Sequence, residues 1–250
     1  MELFLAASFL GFVSMSLFVG VRLMLVWRRT RQLPELLLGL SSLLLGGITY
    51  PVGAAVASGQ IEVSAFWRIW LSNGANLAGH LGYALVLLFT IKVFRPDDVW
   101  ASRAQWLIWA VQSFALCAFG LALVRTGGHY EETAAWVSCV NLIGPILIFG
   151  WTCFESLGAY RMARRRVALG LSDAVIANRR LMWAGFAGAI ALGALQSFVC
   201  ESQDLPYMHL DWARGTIALL GLAEAVFLLL AFFPPAAYQG WPREGAQAHA

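Results

Sequence analysis

The chain has 250 residues, of which 60% are hydrophobic and only 12% are charged, and its formal net charge is +3. Soluble domains contain about 45–50% apolar and 25% charged residues, so this composition excludes an ordinary soluble protein and indicates one that lies mostly within a membrane. The small net charge gives no reason to expect nucleic acid as a partner.

Seven hydrophobic stretches predict an all-α membrane protein, built as a seven-transmembrane-helix bundle over residues 1–235. A membrane-spanning helix needs about 20 apolar residues. The first stretch meets this requirement and lacks the basic leader of a signal peptide, so we interpret it as the first span. The seven predicted spans cover approximately residues 3–27, 33–57, 75–94, 105–124, 134–157, 181–199 and 212–233.

Prolines mark features of individual spans. Pro34 fits the first turn of span two, where its missing N–H costs nothing, whereas Pro51 should kink the same span. Pro145 lies inside span five. A Pro-Pro pair should end span seven, and the short cytoplasmic tail at 236–250 is expected to be disordered.

The segment at 61–72, before span three, allows two interpretations. Phe66, Trp67 and Trp70 recur at helical spacing, which is typical of an amphipathic helix lying on the outer membrane surface. The same residues would also fit an outward extension of span three. We favour the surface helix, because an Asn-Gly pair at 73–74 offers a break before the span.

Basic residues are distributed unevenly between the two sides of the predicted bundle. Of the 17 Lys and Arg residues, 14 fall on the side that holds the end of span one, and three, Arg68, Arg125 and Arg214, fall on the other. Since cytoplasmic loops are enriched in Lys and Arg, we predict that the N-terminus lies outside and the C-terminus in the cytoplasm. Both ends obey this rule only if the number of spans is odd.

The connection at 158–180 is the most basic part of the chain. Ser172-Asp173 is a suitable N-cap for the helix that follows, and we expect spans five and six to project into the cytoplasm as helices. The arginines are expected to contact anionic membrane lipids, and docking of a cytoplasmic signalling protein is the alternative. The arginines concerned are Arg161, Arg164, Arg165 and Arg166.

One carboxylate, Glu224, lies near the middle of span seven. A charged side chain at that depth costs about 2.5–3.5 kcal/mol on insertion scales, and such residues are by default candidates for function. Further polar residues lie near the midplane or nearer the outside. Because buried polar groups need partners in hydrocarbon, we predict that they surround a pocket in the outer half of the bundle. The predicted ligand-binding residues are Asn76, His80, Gln112, Asn141, Gln196, Arg214 and Glu224.

These residues also have a structural interpretation. The four amides are typical of hydrogen bonds between helices, which are worth only about 0.6 kcal/mol on average. His80 is more typical of a packed histidine than of a metal ligand, and no metal or other cofactor is predicted. The four cysteines form no CxxC pair. A disulfide between Cys139 and Cys200, both on the predicted outer side, stays open.

Several catalytic signatures are absent from the sequence. Span seven has no lysine that could carry retinal, Gly-x-Ser-x-Gly does not occur, and the histidines fit neither a rhomboid-like pairing nor a seven-helix ceramidase zinc site. We can assemble no nucleophile or metal set, so an enzyme is not the expected function.

Two predicted cytoplasmic patches carry a resemblance. The first is RTRQLPELLLG at 29–39, and the second extends from Arg164-Arg165-Arg166 through LGLSD at 169–173 to Asn178-Arg179. They resemble uncharacterised bacterial seven-helix inner-membrane proteins. At a coarser level the layout is similar to the seven-helix sensor modules that precede histidine kinases in other chains. The resemblance implies a multi-pass protein of the bacterial inner membrane and brings no catalytic residues.

Together these features predict a receptor- or sensor-like protein. It would bind a small molecule or lipid in the outer-half pocket and signal to a cytoplasmic partner. The alternative is a small-molecule or proton-coupled transporter that uses Glu224. A subunit that only assembles with another protein is a further alternative.

Overall fold

The computed structural model describes residues 2–57, 64–129, 132–205 and 210–233. Seven helices in these ranges are long and apolar enough to cross a membrane. The predicted all-α, seven-helix architecture is therefore confirmed, and the protein is a multi-pass integral membrane protein. The Pro-Pro pair after span seven and the predicted disordered tail lie outside the described residues.

The seven spans are built from eight helices, because span two is divided just past its middle. A π-helical turn, Leu45–Thr49, joins the two parts of that span. The predicted spans agree with the helices, several of which are longer than the hydrophobic stretches alone. The helices are α1 (Glu2–Thr30), α2 (Leu33–Leu44), α3 (Tyr50–Ala57), α4 (Ala65–Phe94), α5 (Val99–Arg125), α6 (Ala135–Ala168), α7 (Ala174–Ser202) and α8 (Asp211–Phe232).

The surface helix that we favoured before span three is wrong. Helix α4 continues without interruption through Asn73 and Gly74, so the described part of the aromatic segment is an N-terminal extension of the span. The side-chain amide of Asn73 donates a hydrogen bond to the carbonyl of Ile69 at 3.0 Å. The residue expected to break the helix is therefore bound to the preceding turn of the same helix.

Span two accommodates Pro51 by means of the π-helical turn. Helix α3 continues through Pro51, although proline has no N–H to donate to the carbonyl one turn earlier. The hydroxyl of Thr49, in the π-helical turn, lies 3.0 Å from the carbonyl of Leu44 and 3.2 Å from that of Ala75 in α4. The turn is thus attached to the neighbouring span, and π-helical turns are frequent at functional sites.

The helical extensions and the N-cap predicted around the connection between α6 and α7 are present in the structure. Both spans extend as helices beyond their hydrophobic stretches, to Ala168 and from Ala174. Asp173 is the N-cap of α7, and its carboxylate accepts a hydrogen bond from the N–H of Val175 at 2.9 Å. Pro34 occupies the first turn of α2, as predicted.

Six spans form a closed ring around a central cavity. In order around the ring, α1 packs against α2, α2 against α4, α4 against α6, α6 against α7, α7 against α8, and α8 against α1. Helix α5 contacts α4 and α6, and it is the one span that contributes no residue to the wall of the central cavity. We therefore describe α5 as lying outside the ring.

Glycines allow the closest contacts among these helices. A Cβ atom at Gly46, in the π-helical turn, would overlap the side chain of Ser16 in α1. One at Gly82, in α4, would lie 2.7 Å from Leu45 Cγ. Small residues permit such approaches between membrane helices. The π-helical turn is therefore packed tightly against both of its neighbours.

Substitution of Gly46 by Ala should destabilise the protein. The added methyl group overlaps Ser16, and such overpacking typically costs about 1–3 kcal/mol. Gly53→Ala, in the same span, is the matched control, because a Cβ there meets no atom within 4 Å. Unfolding in detergent should show a lower midpoint for Gly46→Ala alone. Equal midpoints for the two variants would contradict the tight packing of the turn.

Candidate functional site

Helices α4 and α6 share a row of three polar contacts, which we call the polar row. The two helices run in the same direction, and the paired residues are 61, 62 and 60 positions apart. A nearly constant separation is what two parallel helices in fixed register require. The pairs are His80 Nε2 with Asn141 Oδ1 at 2.9 Å, Thr90 Oγ1 with Thr152 Oγ1 at 2.7 Å, and Arg95 Nε with Glu155 Oε1 at 3.0 Å.

Helical periodicity places the members of the polar row on one face of each helix. On α6, Thr152 and Glu155 follow Asn141 by 11 and 14 residues. Three and four turns of an α-helix contain about 10.8 and 14.4 residues, so these side chains point in nearly the same direction. The sequence therefore carried a signal for this row, which we missed because two of its members are threonines.

The first pair of the row is partly buried and incompletely bonded. His80 is only 5% exposed, and its Nε2 is paired with the side-chain oxygen of Asn141. With Nε2 as the donor, Nδ1 of a neutral imidazole is an acceptor. Among the described residues, Nδ1 has no hydrogen-bond partner, and neither does Nδ2 of Asn76 one turn earlier.

Gln112 of α5 lies close to this pair. It is 4% exposed, and its Nε2 would be 3.0 Å from a Cβ on Gly144, one turn beyond Asn141 in α6. This amide nitrogen also lacks a partner in the described part of the chain. We call the four residues Asn76, His80, Gln112 and Asn141 the amide–histidine cluster.

Two other predicted site residues are bound elsewhere. Gln196 of α7 donates from Nε2 to the carbonyl of Ala213 in α8 at 3.0 Å. Arg214 forms ion pairs with Glu2 of α1 and, at 3.9 Å, with Asp211. Both residues therefore connect helices α7, α8 and α1, and neither belongs to the amide–histidine cluster.

Glu224 lies on the inner side of α8. It is 9% exposed, and no ion pair of the described residues includes it. It is close enough to Tyr83 of α4 to interact with it electrostatically, and Tyr83 is hydrogen-bonded to Tyr50. The Tyr83 ring also contacts the His80 ring edge-on, with centroids 6.3 Å apart. Tyr83 therefore lies between Glu224 and the amide–histidine cluster.

The central cavity is small and carries hydroxyl groups. Its volume is about 20 Å³, and its wall includes Tyr50 and Tyr83 together with the serines at 16, 41 and 42. A cavity needs roughly 10–15 Å³ to hold one water molecule. The space is therefore adequate for a single water and too small for an organic ligand without a change in the packing of the ring.

The structure thus divides the predicted pocket among three places. It brings Asn76, His80, Gln112 and Asn141 together between α4, α5 and α6. Glu224 lies across Tyr83 from them, and the remaining two residues connect α7 and α8 to their neighbours. Within the described ranges, no group of three or more His, Cys, Asp and Glu residues is arranged to hold a metal ion.

The cysteines can be assigned directly, since all four lie in described helices. Each is a free thiol, so Cys139 and Cys200 do not form a disulfide. Cys139 Sγ lies 3.9 Å from the carbonyl of Phe198 in α7, and Cys200 is buried. Cys139 therefore lies at the α6–α7 contact, and both cysteines behave as small side chains.

The polar row ends at the side of the bundle that holds Thr30, Phe94 and Ala168, which we call the arginine-rich end. Glu155 is buried there and accepts hydrogen bonds from Arg95 and from the indole N–H of Trp151, at 3.0 and 3.1 Å. The side chains of Arg161, Arg164, Arg165 and Arg166 are exposed on the extension of α6. Their predicted contact with lipid or with a partner protein stays a prediction.

Comparison with protein families, with curated proteins and with solved structures finds no match to this chain. The resemblance to bacterial seven-helix proteins and to sensor modules stays a prediction.

Removal of Arg95 should destabilise the arginine-rich end. Arg95→Ala leaves the buried Glu155 carboxylate with one hydrogen bond fewer, and an unsatisfied buried group costs about 1–3 kcal/mol. Unfolding in detergent should show this loss, and Glu155→Leu in the Arg95→Ala background should recover much of it. The exposed Arg164→Ala is the control. A similar loss in that control would show that general charge removal, and not the pair, sets the stability.

Proposed function

We propose that this protein is a receptor- or sensor-like membrane protein, and that a small molecule or a lipid headgroup binds at the amide–histidine cluster. The observation that supports this proposal is the presence of three buried polar atoms without partners: Nδ2 of Asn76, Nδ1 of His80 and Nε2 of Gln112. An unmade buried hydrogen bond costs about 1–3 kcal/mol. In hydrocarbon no bulk water compensates for it, and a bound ligand would supply the missing partners.

The chemistry of the three atoms defines the class of ligand. The two amide nitrogens are donors, and the free imidazole nitrogen is an acceptor when Nε2 is the donor to Asn141. A group that both accepts and donates, such as a hydroxyl, a carboxylic acid or a primary amide, complements this set. Because the surrounding spans are apolar, the rest of the ligand should be largely hydrocarbon.

The polar row offers a route from the ligand to the opposite side of the membrane. A ligand that competes for His80 or Asn141 weakens the first contact between α4 and α6. The register of these helices is then held by Thr90–Thr152 and Arg95–Glu155 alone, and small shifts between packed helices are a common form of switching. A partner in contact with the exposed arginines of α6 would detect this shift.

The positive-inside rule makes the arginine-rich end cytoplasmic in this proposal, with the N-terminus outside. The partner that contacts these arginines would be a separate cytoplasmic protein or the anionic surface of the membrane. The resemblance of the two arginine-containing patches to bacterial seven-helix proteins supports a location in the bacterial inner membrane.

Ligand-dependent thermal stability tests the proposal. The purified protein in detergent is heated in the presence of long-chain alcohols, carboxylic acids and primary amides. We expect at least one class to raise the unfolding temperature of wild type. His80→Ala should abolish most of this shift, because it removes the acceptor and the contact with Asn141. Glu224→Gln should reduce it only if the ligand extends past Tyr83.

Ser113→Ala is the matched control, since Ser113 is exposed and adjacent to the buried Gln112. This variant should keep the full shift. If every compound that stabilises wild type stabilises His80→Ala equally, the ligand does not bind at the amide–histidine cluster and the proposal fails.

Burial of Glu224 favours a second candidate, a proton-coupled transporter. The carboxyl group lies beside Tyr83, near a cavity that can hold a water molecule, and it belongs to no ion pair in the described ranges. In this scheme Glu224 binds and releases the transported proton. Few other acidic groups lie within the spans, so a long proton relay is not supported.

Transport should be visible in proteoliposomes that contain a pH-sensitive dye. Addition of a transported compound from the same panel should acidify the interior of wild-type vesicles, and Glu224→Gln should remove the signal because an amide cannot carry the proton. Asp97→Asn, at an exposed carboxylate, should leave it unchanged. Uptake without acidification in wild type would exclude proton coupling.

A further inference from the structure

A groove of about 300 Å³ opens on the membrane-facing surface between span two and α4. It is separate from the amide–histidine cluster and from the central cavity. Small residues of α4 form its floor, and larger side chains of both spans form its walls. The lining residues are Leu44, Ile48, Val52, Trp70, Leu71, Gly74, Ala75, Leu77, Ala78 and Leu81.

The lining of this groove is almost entirely apolar. No charged, hydroxyl or amide side chain is among its ten residues, and the indole N–H of Trp70, at one end, is its one side-chain hydrogen-bond donor. The large side chains along it, such as Ile48, Leu77 and Leu81, are exposed in the isolated chain. Because both walls are membrane spans, whatever fills the groove enters it from the hydrocarbon.

The length of the groove corresponds to one leaflet of the bilayer. Along α4 it extends from Trp70 to Leu81, and 11 residues of an α-helix rise about 16 Å. The hydrocarbon core of a bilayer is about 30 Å thick, so this length corresponds to about half of it. Trp70 is 62% exposed at the outward end, where tryptophan commonly marks the interface with the headgroups.

We propose that the groove is a binding site for one acyl chain of a membrane lipid, in the leaflet opposite the arginine-rich end. The chain would lie along α4, with its methyl end toward Leu81 and its headgroup near Trp70. A helix of a second copy is a poorer fit. Such a helix is about 10–12 Å across with its side chains, whereas the small-residue floor, from Gly74 to Ala78, is little more than one turn long.

The bound chain would also touch the π-helical turn. Ile48 of this turn lines the groove, and Leu45 of the same turn lines the central cavity. Tyr50, directly after the turn, lines the cavity as well and is hydrogen-bonded to Tyr83. The acyl chain would therefore lie on one side of the π-helical turn, and the hydrogen-bonded Tyr50 and Tyr83 lie on the other side.

Photolabelling of the whole protein in nanodiscs tests this site. The nanodiscs contain phosphatidylethanolamine and phosphatidylglycerol, with a small fraction of phosphatidylethanolamine that carries a diazirine in the middle of one acyl chain. After illumination, labelled peptides are mapped by mass spectrometry. We expect labelling at 44–52 and 70–81 to exceed, several-fold, that on the exposed face of α5 around Phe114.

Gly74→Leu adds a large side chain to the groove at a position where a Cβ meets no atom within 4 Å. It should reduce labelling of the groove to the level on α5. Gly150→Leu is the matched control on α6, where a Cβ also meets open space, and it should change nothing at the groove.

Two results would overturn the proposal. One is wild-type labelling at the groove no greater than on α5, which requires no variant to fold. The other is labelling that Gly74→Leu leaves unchanged. In the first case, labelling of the groove that returns when each nanodisc holds a single copy would identify a second copy as the occupant.

Discussion

The polar row between α4 and α6 is the interaction on which the arrangement of the bundle depends. In hydrocarbon, polar groups must find partners within the protein, and apolar contacts alone give little resistance to sliding because lipid tails are equally apolar. Three spaced contacts, at His80, Thr90 and Arg95, fix the register of two parallel helices. A comparable contact of parallel helices, Ser8 Oγ donating to the carbonyl of Ala218 at 2.6 Å, joins α1 to α8 and closes the ring.

Because polar groups in hydrocarbon need partners within the protein, buried polar atoms that have none are informative. Several polar groups within the described spans bond across a helix contact or to the preceding turn. Three unpaired nitrogens, at Asn76, His80 and Gln112, occur at the junction of α4 with α5 and α6. The other unpaired buried atoms of the described residues belong to Glu35, Trp109, Ser156 and Trp183. Stability alone gives no reason to keep them there, because apolar side chains of similar shape would avoid their desolvation. This contrast is the basis of the proposed ligand site.

The number, class and approximate limits of the spans could be predicted from sequence, because the requirement for about 20 apolar residues is strong. The faces of the helices were harder to assign, since apolar residues occur all round each span and periodicity is weak. The position of α5 outside the ring, and the separation of Gln196 and Arg214 from the other polar residues, follow from packing that the sequence does not display. The Asn-Gly pair misled us because Asn73 bonds to its own helix.

Because of the π-helical turn, the orientation of α3 depends on the number of residues that precede it in span two. A turn of this kind holds one residue more than an α-helical turn, so the residues after it are rotated by about 100° relative to a straight helix. That rotation determines which side chains of α3 face the centre of the ring and which face the lipid. Tyr50 lines the central cavity, and Val52 lines the membrane-facing groove. A homologue shorter by a single residue between 45 and 49 would turn a different face of α3 toward the centre, whatever its side chains.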